Sequence, residues 1–124
     1  MKICITSYGQ TLDAHVDPRF GRCANFIIID PDTMEFEVIE NSNAQTSGGA
    51  GIQAGQLIIA KKVEAVLTGN VGPNAYQVLN AGDIKIYTGV TGNIREAVEK
   101  YNSKKLIPIE KPNVSSHFGI QGGK

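Results

Sequence analysis

The seven residues from Ala24 to Asp30 read Ala-Asn-Phe-Ile-Ile-Ile-Asp, an almost unbroken apolar run. A strand this apolar is expected to be covered on both faces, which requires layers above and below a sheet. Its neighbours fit that demand. Ile3 to Thr6 reads as a shorter strand. Pro31-Asp32-Thr33 supplies turn chemistry, because Pro fixes φ and Asp can bond its own backbone. Met34, Phe36 and Val38 then alternate with Glu35 and Glu37, the pattern of a half-exposed edge strand.

From Ala50 the period changes. Ala54, Leu57 and Ile58 predict a helix over Ala50 to Lys62, and Ala65 to Thr68 a short buried strand. Gly72-Pro73 opens a second helix carrying Ala75, Val78 and Leu79, with Gly82 placed to end it. Ile84 to Tyr87 is the fifth strand. Asn93 precedes a third helix with Ile94, Ala97, Val98 and Tyr101 on one face and a Glu96–Lys100 pair at i,i+4. The order is βββαβαβα. A meander followed by two right-handed crossovers gives an α/β fold with a five-stranded mixed sheet of order 3-2-1-4-5 and helices on its faces. Residues 1–107 are expected to form one domain. The Pro-, Ser- and Gly-containing stretch 108–124 is expected to be a flexible tail.

Composition narrows the function classes. Leu, Ile, Val and Phe supply 33 of 124 residues, enough for a core. Twelve basic residues balance twelve acidic ones, so nothing global suggests nucleic acid or an anionic membrane surface as a partner. No apolar run approaches the ~18 residues of a membrane span. The opening Met-Lys-Ile-Cys-Ile-Thr lacks a signal-peptide apolar region, and two cysteines do not make a disulfide framework. A reduced, cytoplasmic protein is the expectation.

With this order, the carboxyl ends of three parallel strands and the amino ends of the helices share one rim, beside the topological switch where open α/β sheets bind ligands. Four segments map there: Ser7 to Cys23, including Asp17-Pro18-Arg19-Phe20-Gly21-Arg22-Cys23; Asn41 through Ser47-Gly48-Gly49-Ala50-Gly51; Thr68-Gly69-Asn70-Val71-Gly72-Pro73-Asn74; and Thr88 to Asn93. Glycine lets backbone approach a ligand, helix starts carry partial positive charge, and two arginines add to it. Together they predict an anion site. Taken one at a time, these glycines read equally well as turn chemistry, and Gly48-Gly49-Ala50-Gly51 lacks the Lys-Ser/Thr ending of a phosphate-binding loop.

Cys4, inside the first strand, is expected to be a buried thiol. Cys23 follows the arginines, whose charge should favour its thiolate, the form that ligates soft metals. His15 lies in the same loop and is the second candidate metal ligand. His117 falls in the tail. No CxxC, HxxxH or paired-carboxylate spacing occurs, which argues against a closed zinc site.

The segments Val16 to Cys23, Asn41 to Gly51 and Gly69 to Ala75, in that order, resemble the dinitrogenase iron–molybdenum cofactor biosynthesis family, which includes NifX- and NafY-type carriers and the C-terminal region of NifB proteins. The resemblance runs from Met1 to about Tyr101. It implies a ribonuclease-H-like domain that binds or carries an iron–molybdenum-type or other metal–sulfur cluster, without catalysis, between cluster donor and acceptor proteins. The cofactor-binding residues it points to here are Arg19, Phe20, Gly21, Arg22, Asn41, Ser47, Gly48, Gly49, Gly51, Asn70, Gly72 and Asn74. Some members carry His where this chain has Arg19. A protonated guanidinium cannot coordinate a metal, so that ligand does not carry over. Two other functions compete: a small-anion or nucleotide-binding sensor using the same rim, and a nuclease. The second needs several converging carboxylates, whereas the rim offers Asp13 and Asp17 with Asp30 at the far end.

Overall fold

In a computed structural model that describes residues 1–42, 44 and 48–114, the Phe-Ile-Ile-Ile run forms β2, Asn25–Ile29, buried along its whole length. It lies between β1 (Ile3–Ser7) and β3 (Phe36–Glu40), antiparallel to both. β4 (Ala65–Leu67) runs parallel to β1 on its other side, and β5 (Lys85–Tyr87) runs parallel to β4. The sheet order is β3-β2-β1-β4-β5, as expected from the chain order. Three helices, α1 (Ala50–Ala60), α2 (Pro73–Ala81) and α3 (Ile94–Asn102), complete the described residues.

Alternation in the central strands separates two apolar layers. Cys4, Phe26, Ile28, Val66 and Ile86 point one way and pack with Ala54 and Ile58 of α1 and Ala75 and Leu79 of α2. Ile3, Ile5, Ile27, Ile29 and Leu67 point the other way, against Ile94, Ala97 and Val98 of α3. A one-residue slip in β2 would exchange its two side-chain sets between these layers, so the register is tightly specified.

Two details differ from the sequence expectation. β3 starts at Phe36 rather than Met34, because Met34 takes φ +68° to close the hairpin, its N–H donating to Asp30 O at 2.8 Å. At the end of α2, Gly82 has an ordinary negative φ and the left-handed residue is Asp83. Gly82 instead answers to contact: a methyl there would sit 2.8 Å from the Ile59 side chain.

The stretch beyond Pro108, expected to be loose, is held as far as it is described. Pro108 bridges Tyr87, Ile109 N–H donates to Ile86 O at 2.8 Å, and Ile109 packs on the α1/α2 layer. The remainder of that tail, with His117, lies outside the described residues, as does Ser47.

Candidate functional site

The loop after β1 doubles back along its own strand. Ser7 bridges Val16, Tyr8 N–H donates to His15 O at 3.0 Å, and Asp17 N–H donates to Thr6 O at 3.0 Å. This return buries Asp17 completely. A buried carboxylate must be compensated, and here four donors do it. Arg19 Nε and Nη2 donate to Asp17 Oδ1 and Oδ2, each at 3.1 Å, while the Arg19 and Ala24 amides donate at 3.1 and 3.2 Å. The Asp17 hydrogen bonds hold Arg19 still more firmly protonated than a free guanidinium. Its side chain remains 38% exposed, so one edge of the charge faces solvent at the rim.

From Asp17 the chain crosses the other three segments. Asn70 N–H donates to Pro18 O at 2.7 Å and Phe20 N–H to Asn70 O at 3.2 Å, pairing Arg19 with Asn70 in parallel. A methyl at Gly69 would sit 2.5 Å from Pro18 Cβ and 2.6 Å from its Cα, so only glycine permits this crossing. Further on, a Cβ at Gly21 would stand 3.0 Å from Gly51 Cα, and one at Gly51 would stand 3.2 Å from Ala75 Cβ. The first turns of α1 and α2 therefore touch, with the arginine loop resting on them. Asn41 Nδ2 donates to the Gly21 and Cys23 carbonyls at 3.0 and 2.9 Å, and Arg22 Nη1 donates to Ala44 O at 3.0 Å. The fourth segment joins through Gly89 N–H to Gly69 O at 2.8 Å and Val16 N–H to Gly92 O at 2.9 Å. All four segments meet on one edge.

The three helix starts are not equivalent. Gly49 caps α1 with φ +76°, Gly72 caps α2, and among the described residues neither start has a side-chain cap or an acid in its first turn. Each therefore leaves amides and partial positive charge facing the rim. At α3, Asn93 Oδ1 accepts from Glu96 N–H at 2.8 Å while Glu96 Oε1 accepts from Asn93 N–H at 2.9 Å. This capping box closes the third start with a carboxylate, so two open helix starts bound the rim, where three were expected.

The candidate residues fall into three groups. Gly48, Gly49 and Asn74 are exposed, and Gly51 and Gly72 are half-buried beside them at the two open starts. Arg19, Gly21, Arg22, Asn41 and Asn70 stand at the rim but already bond or pack against their own chain. Phe20 belongs to the core, its ring centroid 5.9 Å from that of Phe26.

The structure places the two candidate metal ligands apart. Cys23 is fully buried in the α1/α2 layer, and burial first, then the Asp17 charge, push its thiol well above the ordinary value. Of the two arginines expected to favour the thiolate, Arg19 is engaged by Asp17 and Arg22 by the Ala44 carbonyl. His15 is exposed and bridges Asn93 at the entrance to α3, on the side of the sheet opposite the Cys23 layer. Among the described residues no group of three or more His, Cys, Asp or Glu is placed to hold a metal ion. Cys4 is buried as expected, and its thiol is likewise pushed up by burial. The three acids weighed for a nuclease are dispersed: Asp13 pairs with Arg95 at 3.6 Å, Asp17 with Arg19, and Asp30 caps the turn at the opposite end of the sheet.

Two residues carry more of this geometry than their sequence context announces. Asp17 gathers the loop, and its partner two residues on is a usable signal. Asn113, on the C-terminal strap, has none short of the folded path of the tail.

Residues 1–104 match the family model for dinitrogenase iron–molybdenum cofactor. The chain belongs to that family. It is 33% identical over 98 residues to an uncharacterized protein of Methanocaldococcus jannaschii, covering 77% of this chain and 83% of that one. Among solved structures, it is similar to the apo form of the orange protein from Desulfovibrio gigas, with TM-score 0.88 and 37% identity, covering 91% of this chain and 96% of that one. It is also similar to a putative NifB protein from Thermotoga, with TM-score 0.79 and 32% identity over 91% and 97% of the two chains. The two solved structures share this chain's fold. No helix among the described residues is long and apolar enough to cross a membrane.

Proposed function

We propose that this protein is a non-catalytic carrier that holds an iron–molybdenum-type or other metal–sulfur cluster at the rim, between cluster donor and acceptor proteins. The cluster is cargo, net anionic and studded with sulfide acceptors. The observation that carries the reading is the contact between the first turns of α1 and α2 through Gly51 and Ala75, both starts uncapped and free of acids, beneath a loop bearing Arg19 and Arg22. Two adjacent helix starts sum their positive ends on one small surface. Family membership supports the chemical class of the cargo.

The same geometry argues for cradling over coordination. A thiolate bond from Cys23 requires removing a proton from a buried thiol beside a carboxylate. Amides and guanidinium edges hold sulfide or carboxylate oxygen by hydrogen bonds that form and break reversibly, which suits cargo that must be passed on.

Ile52→Glu tests this directly. Ile52 is the third residue of α1 and is exposed. A carboxylate there should stabilise the helix by about 0.5 kcal/mol through its dipole while repelling an anion at the same spot. After anaerobic reconstitution with iron, molybdate and sulfide, the wild type is expected to show sulfur-to-metal charge-transfer bands, retention falling as salt rises. Ile52→Glu should keep or raise Tm and lose the bands, and Cys23→Ser should retain them. Bands retained in Ile52→Glu, or lost in a folded Cys23→Ser, would overturn cradling at α1. If the wild type binds molybdate or phosphate but forms no charge-transfer bands, the rim is a small-anion sensor instead.

A further inference from the structure

The C-terminal strap returns to the rim. After α3 the chain runs along β5, held by Ile109 N–H to Ile86 O, and reaches the loop between β4 and α2 at Asn113. There one residue makes three hydrogen bonds. Asn113 N–H donates to Val71 O at 3.1 Å, Asn113 Oδ1 accepts from Val71 N–H at 2.7 Å, and Asn113 Nδ2 donates to Asn70 Oδ1 at 3.1 Å. Val71 has its side chain buried in the core, and Asn113 satisfies both its backbone groups from outside. Asn70 is in turn the junction with the arginine loop, its Nδ2 donating to Pro18 O at 3.3 Å and its backbone bonding Pro18 O and Phe20 N–H.

We infer that Asn113 is a positioning residue for the rim: by fixing Asn70 and Val71 it holds the junction that carries Arg19 over the start of α2. This rests on the cluster-carrier reading for its functional half and on the hydrogen-bond chain for its structural half. The link runs from Asn113 to Asn70 and from Asn70 to Pro18 by direct hydrogen bonds, then along the chain to Arg19. Asn113 is exposed, so its bonds to the loop are in exchange with water and the strap is a latch of modest strength. The hydrogen bonds of Asn113 go to Val71 and Asn70, so its effect on cargo is transmitted through Asn70 and Pro18.

The test uses the full chain with Asn113→Ala and Asn113→Asp. Both substitutions are at an exposed side chain, so the fold is retained. Amide hydrogen exchange at Asn70, Val71 and Phe20 should accelerate in Asn113→Ala by about five- to tenfold, the ratio expected for losing one such hydrogen bond. Amides of β1 and β2 should exchange as in the wild type. Asn113→Asp can still accept from Val71 N–H but cannot donate to Asn70 Oδ1, so protection at Val71 should survive while protection at Phe20 falls. Cluster retention after anaerobic reconstitution should drop several-fold in both variants. Unchanged exchange at Asn70 and Phe20 in Asn113→Ala overturns the strap. Faster exchange with undiminished retention overturns the positioning role and leaves Asn113 a structural tie. A wild type that forms no cluster overturns the carrier reading and the positioning role with it, while the exchange measurement still decides for or against the strap.

Discussion

The two ends of the sheet solve the same turn problem differently. At the end opposite the rim, every helix stops on a side-chain-bearing residue in the left-handed region: Lys62 at φ +60°, Asp83 at +61° and Lys104 at +59°. At the rim, the positive-φ positions are Gly21, Gly49, Gly89 and Gly92. A left-handed turn by itself thus does not force glycine in this chain. What the rim adds is distance. Its backbones cross at contact, as Gly69 does against Pro18 and Gly51 against Gly21 and Ala75, and its helix starts are left open. At the opposite end Gly82 also answers to contact, but its neighbour is the Ile59 side chain and not another backbone. Its helix ends are closed by their own carbonyl bonds, including Ile84 N–H to Leu79 O and Lys105 N–H to Lys100 O.

The largest effect that would break this contrast is at Gly69. Gly69→Ala forces Pro18 away, and since the obstacle is backbone as well as ring, relief requires moving the whole arginine loop. A loss of about 3 kcal/mol is expected, the upper range for overpacking. Urea unfolding measures it. A loss below that of a typical surface substitution would mean the crossing is loose and glycine there is incidental.

Arg19→Ala comes next. It leaves the buried Asp17 carboxylate with two backbone donors in place of a guanidinium, for which about 2–3 kcal/mol is expected, reduced from the full cost of an orphaned buried charge because those amides remain. Asp17→Asn/Arg19→Ala should recover part of this, because the neutral amide no longer needs a cation. Absence of any recovery in the double variant would show that the pair contributes through packing and not through charge. This outcome bears on the rim's chemistry too, since an Arg19 occupied by Asp17 presents one edge to cargo rather than a whole charge.

Much of this is legible in the residues themselves. The apolar run at β2, the alternation at β3 and the shift to helical spacing at Ala50 fix element type, and short connections then leave few sheet orders, so convergence of the four segments follows from topology. What is not legible is who bonds whom inside a loop. Asp17 and Arg19 both read as rim charges, because burial of Asp17 depends on the loop doubling back on β1. Burial of Cys23 itself, and then the Asp17 charge, oppose the thiolate that the two arginines suggest. The capping box at α3 has a local signal, Asn93 with Glu96 three residues on, but Glu96 fits a helix-face pair with Lys100 equally well by spacing. The path of the strap to Asn113 has no local signal, since it depends on where β5 presents its free edge.

The third effect concerns the helix start that is closed. Asn93→Ala removes the side-chain cap of α3 and should cost about 1 kcal/mol. It should leave cluster retention unchanged, because the α3 start is not among the open ones. Asn93 also faces His15 across a bridge, so Asn93→Ser, which keeps a cap, controls for disturbance of that contact. Loss of retention in Asn93→Ala with the cap restored in Asn93→Ser would bring the third start back into the site.

The smallest effect lies at the other end, where the contrast can be sharpened by adding glycine. Lys62→Gly, Asp83→Gly and Lys104→Gly each remove a side chain from a left-handed position that costs an L-residue about 1 kcal/mol. Glycine also enlarges the freedom of the unfolded chain, which returns about 0.4–1 kcal/mol of that gain. The lysines further lose a favourable charge near a helix carboxyl end, worth about 0.3 kcal/mol. All three side chains are exposed, so no packing is lost. The balance is a net change within about 0.5 kcal/mol of zero for each. Asp83 has less strain to release, because Asp tolerates this region better than Lys, but its removal also takes an unfavourable charge away from a helix carboxyl end. Gly49→Ala at the rim is the mirror experiment. Its methyl would meet nothing nearer than Gln53 Nε2 at 4.0 Å, so its cost is the left-handed strain alone, about 1 kcal/mol, offset in part by the same unfolded-state effect. Near-neutral values on both ends would show that φ carries little of the difference and contact nearly all of it. A Gly49→Ala loss of several kcal/mol, with no steric neighbour to blame, would instead mean that the α1 start is held in a conformation its surroundings cannot relax.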